Sequence, residues 1–163
     1  MAKGKVSPEL IEQFKQIVGE KYVYTDKDKL EPYSHDEVTD PHYMKEPQVV
    51  VLPATTEEVS KVVKLCYEND TVMVPRAAGT GLAAGAVATF GGVIISIERM
   101  NKILEIDKDN MVCVSEAGVT TSVLQEAVQK EGLFYGGDPC SGDSCFISGN
   151  VATNAGGNRA VKY

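Results

Sequence analysis

Val74-Pro-Arg-Ala-Ala-Gly-Thr-Gly-Leu-Ala-Ala-Gly85 is the stretch on which the reading of the fold turns. It follows one β-branched run and precedes another, Val93 to Ile97, so it reads as a loop between two strands. Arg76 is its only charge. Glycine and alanine bring backbone N–H groups close to a diphosphate or a planar ring without bulky side chains in the way. A second stretch of the same kind, Ser144-Cys-Phe-Ile-Ser-Gly-Asn-Val-Ala-Thr-Asn-Ala-Gly-Gly157, lies about seventy residues further on. Tight turns explain one such segment. Two together point to a large, phosphate-bearing cofactor.

A dinucleotide-binding turn is the first comparison to make, because Gly79-Thr-Gly81 follows a strand. That fingerprint needs a helix of roughly ten residues or more directly after it. Here only Leu82 to Phe90 separate the loop from Gly91-Gly92, and Gly85 falls one position late for the third glycine. The chain has no Gly-Lys-Ser/Thr ending, which excludes a Walker-type nucleotide loop. What remains is an amide-lined loop between strands that faces a pyrophosphate, with Arg76 as the nearby cation.

Working outward, Val49 to Leu52 reads as a strand, and Thr55 with Glu58 forms a capping box before Val59, Val62, Val63 and Cys66. Val72 to Val74 then restarts β-branched usage, so Gln48 to Pro75 reads as a βαβ unit with parallel strands. Upstream, Ser7 caps a helix with Pro8 in its first turn, and Leu10, Ile11, Phe14, Ile17 and Val18 recur at helical spacing up to Gly19. Glu20 to Glu46 reads as a long irregular arm. Downstream, Ile103 to Ile106 and Met111 to Glu116 form an antiparallel hairpin around Asp107 to Asn110. A helix from Thr120, Thr121 or Ser122 runs to Gly132, Leu133 to Tyr135 reads as a short strand, and the remainder as irregular.

With 163 residues and 43% hydrophobic content, the chain is long enough to bury a sizeable core. A net charge of -7 with scattered lysines argues against broad phosphate neutralisation, so no nucleic acid is expected as a partner. The apolar runs are too short for a transmembrane segment, and the N-terminus has no signal-peptide apolar region. A cytoplasmic protein with reduced thiols at Cys66, Cys113, Cys140 and Cys145 is expected.

Five collinear motifs carry a family resemblance: Pro75-Arg-Ala-Ala-Gly-Thr-Gly-Leu82, Gly91-Gly-Val-Ile-Ile-Ser96, Asn101-Lys-Ile-Leu-Glu-Ile-Asp107, Glu116-Ala-Gly-Val119 and Gly149-Asn-Val-Ala-Thr-Asn-Ala-Gly-Gly157. From about Pro47 to Tyr163 the chain resembles FAD-linked oxidases of the vanillyl-alcohol oxidase, or PCMH-type, superfamily. The likeness is to the glycolate oxidase, D-lactate dehydrogenase and D-2-hydroxyglutarate dehydrogenase branch. The resemblance implies an α+β, PCMH-type FAD-binding fold with a small βαβ lobe followed by a mixed, antiparallel one. The boundaries expected are an N-terminal helix and arm over 1–46 and an FAD-binding region over 47–163, with lobe one at about 47–98 and lobe two at about 99–163.

By resemblance, Pro75, Arg76, Ala77, Ala78, Gly79, Thr80, Gly81 and Leu82 hold the FAD pyrophosphate. Cys145, Gly149, Asn150, Thr153, Gly156 and Gly157 run along the flavin and diphosphate, with Pro139 and Ser141 at the entrance. Relatives that bind flavin covalently often carry a histidine where this chain has Thr80, so the resemblance implies noncovalent FAD. Two positions depart from the family pattern: Ala77 and Ser148 stand where relatives commonly have glycine.

Family members continue well past the second glycine segment, so the chain is expected to be an N-terminal portion, truncated at the C-terminal side. The metal-binding and proton-abstracting residues of the family belong to that later part. No catalytic residue and no metal ligand are therefore assigned. Two readings follow: the FAD-binding part of an enzyme that oxidises a small D-2-hydroxy acid such as glycolate or D-lactate by hydride transfer to flavin N5, or an isolated non-catalytic module, with FAD weakly held or absent. For the first, the resemblance implies an iron–sulfur or electron-transfer flavoprotein partner. A lobe lacking its last strands predicts self-association through an exposed sheet edge.

His35, Asp36, Asp40 and His42 cluster within eight residues. Their spacing fixes no ligand geometry, and a solvated polar connection is the simpler reading. Cys140 and Cys145 are too far apart in sequence for a Cys-x-x-Cys redox or zinc motif, Cys66 and Cys113 read as core, and Tyr33, Tyr43 and Tyr135 as packing.

Overall fold

The computed structural model describes residues 5–163, so the first four residues of the N-terminal arm lie outside the described residues. The chain divides into two compact units, Met1–Arg99 and Met100–Tyr163.

The first unit is built on a four-stranded sheet of order β1-β2-β4-β3, with β1 at Val23–Tyr24, β2 at Val49–Val51, β3 at Met73–Arg76 and β4 at Val93–Ser96. Strand β1 runs antiparallel to β2, and β4 is parallel to both β2 and β3. The register pairs Val49 with Val93 and Arg76 with Ser96. The two central strands explain the continuous apolar runs. Val49, Val51, Val93 and Ile95 point into one buried cluster, while Val50, Leu52 and Ile94 point into another, so both faces of the central strands are covered. Each buried valine or isoleucine contributes roughly 1.5–3 kcal/mol relative to exposure.

Helix α1 at Pro8–Val18 starts where the sequence places it, with the Ser7 hydroxyl accepting from the Leu10 N–H. Leu10, Phe14 and Val18 enter the same cluster as Val49 and Val51, so α1 is part of the first unit's core and not a separate arm. Helix α3 at Thr56–Glu68 covers that face as well, through Val62 and Cys66. Its N-terminus is capped on both sides: Thr55 Oγ1 accepts from the Glu58 N–H, and the Glu58 carboxylate accepts from the Ala54 N–H.

Three details of this unit go beyond the sequence reading or depart from it. The strands of the βαβ unit are parallel as expected, and β4 is inserted between them. The wholly apolar Val93 to Ile95 needs cover on both faces, whereas β3 carries an exposed Met73 and a Pro75 without an N–H, which belong at an edge. Second, the arm from Glu20 to Glu46 is not wholly irregular. It contains β1, a single-turn helix α2 at Lys27–Leu30, and tight 3₁₀ turns at Glu20–Tyr22, Glu31–Tyr33 and Pro41–Tyr43. Elements this short leave no periodic trace in the sequence. Third, β3 begins and ends later than the β-branched run suggests, reaching Arg76.

The second unit contains a hairpin of β5 at Ile103–Asp107 and β6 at Val112–Ser115, then α4 at Thr121–Lys130 and α5 at Ile147–Thr153. The hairpin turn is closed by Asp107, whose carboxylate accepts from the Asn110 backbone and side-chain N–H groups. An irregularity in register between Ile103 and Glu105 lets Ile103 and Ile106, three positions apart, both pack against Val119, Leu124 and Val128. Two readings change here. Leu133 to Tyr135 is not a strand, and the second glycine segment, read as irregular, contains α5. The sequence hides that helix because Ser148 and Gly149 are poor helix formers, and tertiary contacts override them.

Candidate functional site

The first glycine segment leaves β3 at Arg76. Ala77, Ala78, Gly79 and Thr80 are half-buried, Gly81 and Leu82 are exposed, and Pro75 is exposed on the edge strand. Among the described residues, no acceptor meets the backbone N–H of Ala78, Gly79, Thr80 or Gly81. Four successive free amides on a surface loop are suited to a diphosphate, and nothing lies within 4 Å of where a Cβ on Gly81 would sit.

Arg76 does not lie on that surface. Its side chain is buried, at 7% exposure, with Nη1 donating to the carbonyls of His35 at 2.8 Å and Ala86 at 3.2 Å, and Nη2 donating to that of Pro32 at 3.2 Å. The guanidinium also lies 5.5 Å from the centre of the Tyr33 ring. Gly79 has φ +74°, and a Cβ there would strike the Arg76 guanidinium. The loop therefore folds over its own arginine. Burial lowers the proton affinity of Arg76, and the nearby Tyr33, Asp36 and Glu98 act in the opposite sense. Tyr33 donates to the Glu98 carboxylate at 3.1 Å, and burial together with that neighbouring charge raises its pKa well above the ordinary phenol value. Asp36 is buried; its Oδ1 accepts from the Val38 N–H at 2.9 Å, and Oδ2 has no partner among the described residues.

The second glycine segment makes the opposite use of similar residues. Cys145 is 2% exposed and Asn150 is 7% exposed, and both are held around Thr121, which is fully buried. The Thr121 hydroxyl donates to the Cys145 carbonyl at 3.2 Å and accepts from Asn150 Nδ2 at 2.7 Å. The Thr121 N–H also donates to the Cys145 carbonyl, at 3.0 Å. These two candidate residues fasten α5 to the start of α4. Thr121, which the sequence offers only as a helix cap, is the residue that organises them.

Around this knot, Thr153 donates back to the Gly149 carbonyl at 2.9 Å, and the Gly156 carbonyl accepts from the Asp138 N–H at 3.0 Å. Gly157, at φ +84°, sits so close to the Asp138 carbonyl that a Cβ could not be placed there. The Ser141 carbonyl accepts from the N–H groups of Ser144 and Cys145, at 2.9 and 2.7 Å, making the turn that leads to α5. Pro139 lines a cleft of about 320 Å³ with Gln125, Cys140, Gly142, Asp143 and Asn158. Ser148 Oγ is buried without a partner among the described residues, at a position where a glycine would leave no such group.

Among the described residues no group of histidine, cysteine or acidic side chains is arranged to hold a metal ion. All four cysteines are free, with Cys66 and Cys145 buried, Cys113 half-buried and Cys140 exposed. No described helix is long and apolar enough to cross a membrane. Asp36 and Glu98 act electrostatically on Arg76, and their separation from it in sequence gives no local signal of this.

Residues 47–163 match the FAD binding domain family. The chain is 47% identical over 162 residues to a D-lactate dehydrogenase of Anaerostipes hadrus, covering 98% of this chain and 33% of that protein. It is 40% identical over 131 residues to the glycolate oxidase subunit GlcD of Bacillus subtilis (strain 168), covering 80% and 27% respectively. A D-2-hydroxyglutarate dehydrogenase of Stutzerimonas stutzeri (strain A1501) is 36% identical over 156 residues, covering 96% and 33%. This chain thus spans about a third of the length of the curated relatives it matches. Among solved structures, an alkyldihydroxyacetonephosphate synthase superposes with a TM-score of 0.87 at 25% identity, over 100% of this chain and 32% of its own. A p-cresol methylhydroxylase with substrate bound superposes with a TM-score of 0.68 at 27% identity, over 77% and 25%.

Proposed function

Because the chain belongs to the FAD binding domain family, we propose that it supplies the FAD-gripping part of a flavoprotein that oxidises a small D-2-hydroxy acid of the lactate or glycolate type. The observation that carries the reading is the row of free amides from Ala78 to Gly81, on a chain 47% identical to a D-lactate dehydrogenase. FAD, when bound, supplies the acceptor for a hydride leaving the substrate α-carbon.

The chain's own residues bind and orient. The amides of Ala78, Gly79, Thr80 and Gly81 donate to the diphosphate, and the small side chains around them keep the approach open. Gly156 and Gly157 shape the corresponding backbone of the second unit, while Cys145 and Asn150 hold it from inside. Thr80 stands where relatives that bind flavin covalently often carry a histidine, and the resemblance supports a noncovalently held cofactor. No residue here is assigned to proton abstraction. Electrons pass from the complete flavoprotein to an iron–sulfur or electron-transfer flavoprotein partner, in a cytoplasmic setting.

Titration of the purified chain with FAD, followed by flavin fluorescence, tests this reading. Saturable binding that ADP displaces is the expected result, since ADP carries the diphosphate, and acid precipitation should release all bound flavin. A chain that shows no saturable change with FAD contradicts the reading. Turnover of D-lactate with a dye acceptor distinguishes a self-sufficient enzyme from a binding part, and none is expected.

A further inference from the structure

Arg76 is the only cation in the first glycine loop, yet its side chain is buried and bonded to backbone carbonyls. Its guanidinium bonds three carbonyls that belong to two different stretches: Pro32 and His35 on the N-terminal arm, and Ala86 at the far end of the loop itself. The arm and the loop are joined again beside this point, where the Glu37 N–H donates to the Gly81 carbonyl at 3.0 Å. Tyr33, over which the guanidinium lies, is fixed from its other end by Glu98. Asp36 and Glu98 provide the negative charge that makes a buried guanidinium tolerable. Gly79 has no side chain where the guanidinium passes beneath the loop.

We propose that Arg76 is a positioning residue that clips the Pro32–Glu37 segment to the loop, and that this segment is thereby part of the cofactor-binding apparatus. The clip fixes the loop from behind, so that the amides of Ala78 to Gly81 face outward with their acceptor-free side toward the ligand. With three of its five N–H donors bonded to carbonyls and its side chain only 7% exposed, the guanidinium is committed to the arm and the loop rather than to the open surface. The part of this proposal that concerns the cofactor rests on the FAD-binding reading above; the clip itself does not.

The test uses Arg76→Gln, Arg76→Lys and Tyr33→Phe in the whole chain. Without FAD, amide hydrogen exchange at Glu37 should accelerate about tenfold or more in both Arg76 variants, because a lysine ammonium does not span three carbonyls, and less in Tyr33→Phe. With FAD, both Arg76 variants should bind about tenfold more weakly, while the salt dependence of the affinity stays that of the parent chain. Wild-type affinity in Arg76→Lys, or a flatter salt dependence in Arg76→Gln, would make Arg76 a phosphate ligand and overturn the proposal. Unchanged Glu37 exchange overturns it equally. Should the Arg76 variants not fold, the Glu37 exchange of Tyr33→Phe decides: faster supports the clip, unchanged refutes it. If the parent chain binds no FAD, the functional reading fails, and the exchange measurement still decides the clip.

Discussion

The two glycine-rich segments have similar compositions and opposite structural roles. In the first unit the small residues leave amides free, and the one long side chain, Arg76, is folded behind them. In the second unit the segment is folded into α5 and a backbone bridge between Asp138 and Gly157, and its polar side chains Cys145 and Asn150 face inward. One segment carries free amides over a buried arginine; the other is tied inward at Cys145 and Asn150 while Val151 to Asn154 stay exposed. Small residues serve the first by leaving space for a ligand and the second by letting backbone approach backbone.

On that contrast, substitutions in the second segment cost stability and those in the first cost affinity. Gly157→Ala has the largest expected effect, a loss of about 3 kcal/mol from the second unit, because it combines positive φ with collision against the Asp138 carbonyl. Chemical denaturation measures it, and a loss below about 1 kcal/mol would break the comparison. Asn150→Ala comes next. It removes the donor to the buried Thr121 hydroxyl, and a loss of about 2 kcal/mol is expected in the same experiment.

Gly81→Ala should do the reverse. A Cβ there meets open space, so stability should stay within about 0.5 kcal/mol of the parent chain. FAD affinity should fall about tenfold, because the methyl group projects where the diphosphate approaches; a destabilised variant with intact affinity would invert the reading. The smallest effect belongs to Cys140→Ser, with stability unchanged to within about 0.5 kcal/mol. Cys140 is the exposed thiol and should be the first labelled by a thiol reagent in the native chain, a signal the variant loses. Cys66, whose pKa burial pushes up to about 11, should label only on unfolding.

Where an element obeys a period or a local cap, the sequence is sufficient. Ser7, Pro8 and the helical spacing of Leu10, Phe14 and Val18 define α1, and Thr55 with Glu58 defines the start of α3. The hairpin is legible from alternation on either side of Asp107 to Asn110. The two-residue strand β1 has no such signature, because antiparallel pairing of Val23 with Val51 creates it from outside. Helix α5 is illegible for a related reason: it depends on Asn150 meeting Thr121, 29 positions earlier.

By itself the sequence determined the chemistry on offer: two loops poor in side chains, a cofactor family readable from five motifs, and parallel strands apolar enough to need cover on both faces. Only the tertiary structure decided which groups within those motifs face outward. Arg76 lies near the start of the first motif, yet two of the three carbonyls that orient it come from Pro32 and His35, more than forty positions away. A motif specifies residue types along the chain. The direction of a side chain follows from hydrogen bonds to whatever the fold brings against it, and a local pattern holds no record of those partners.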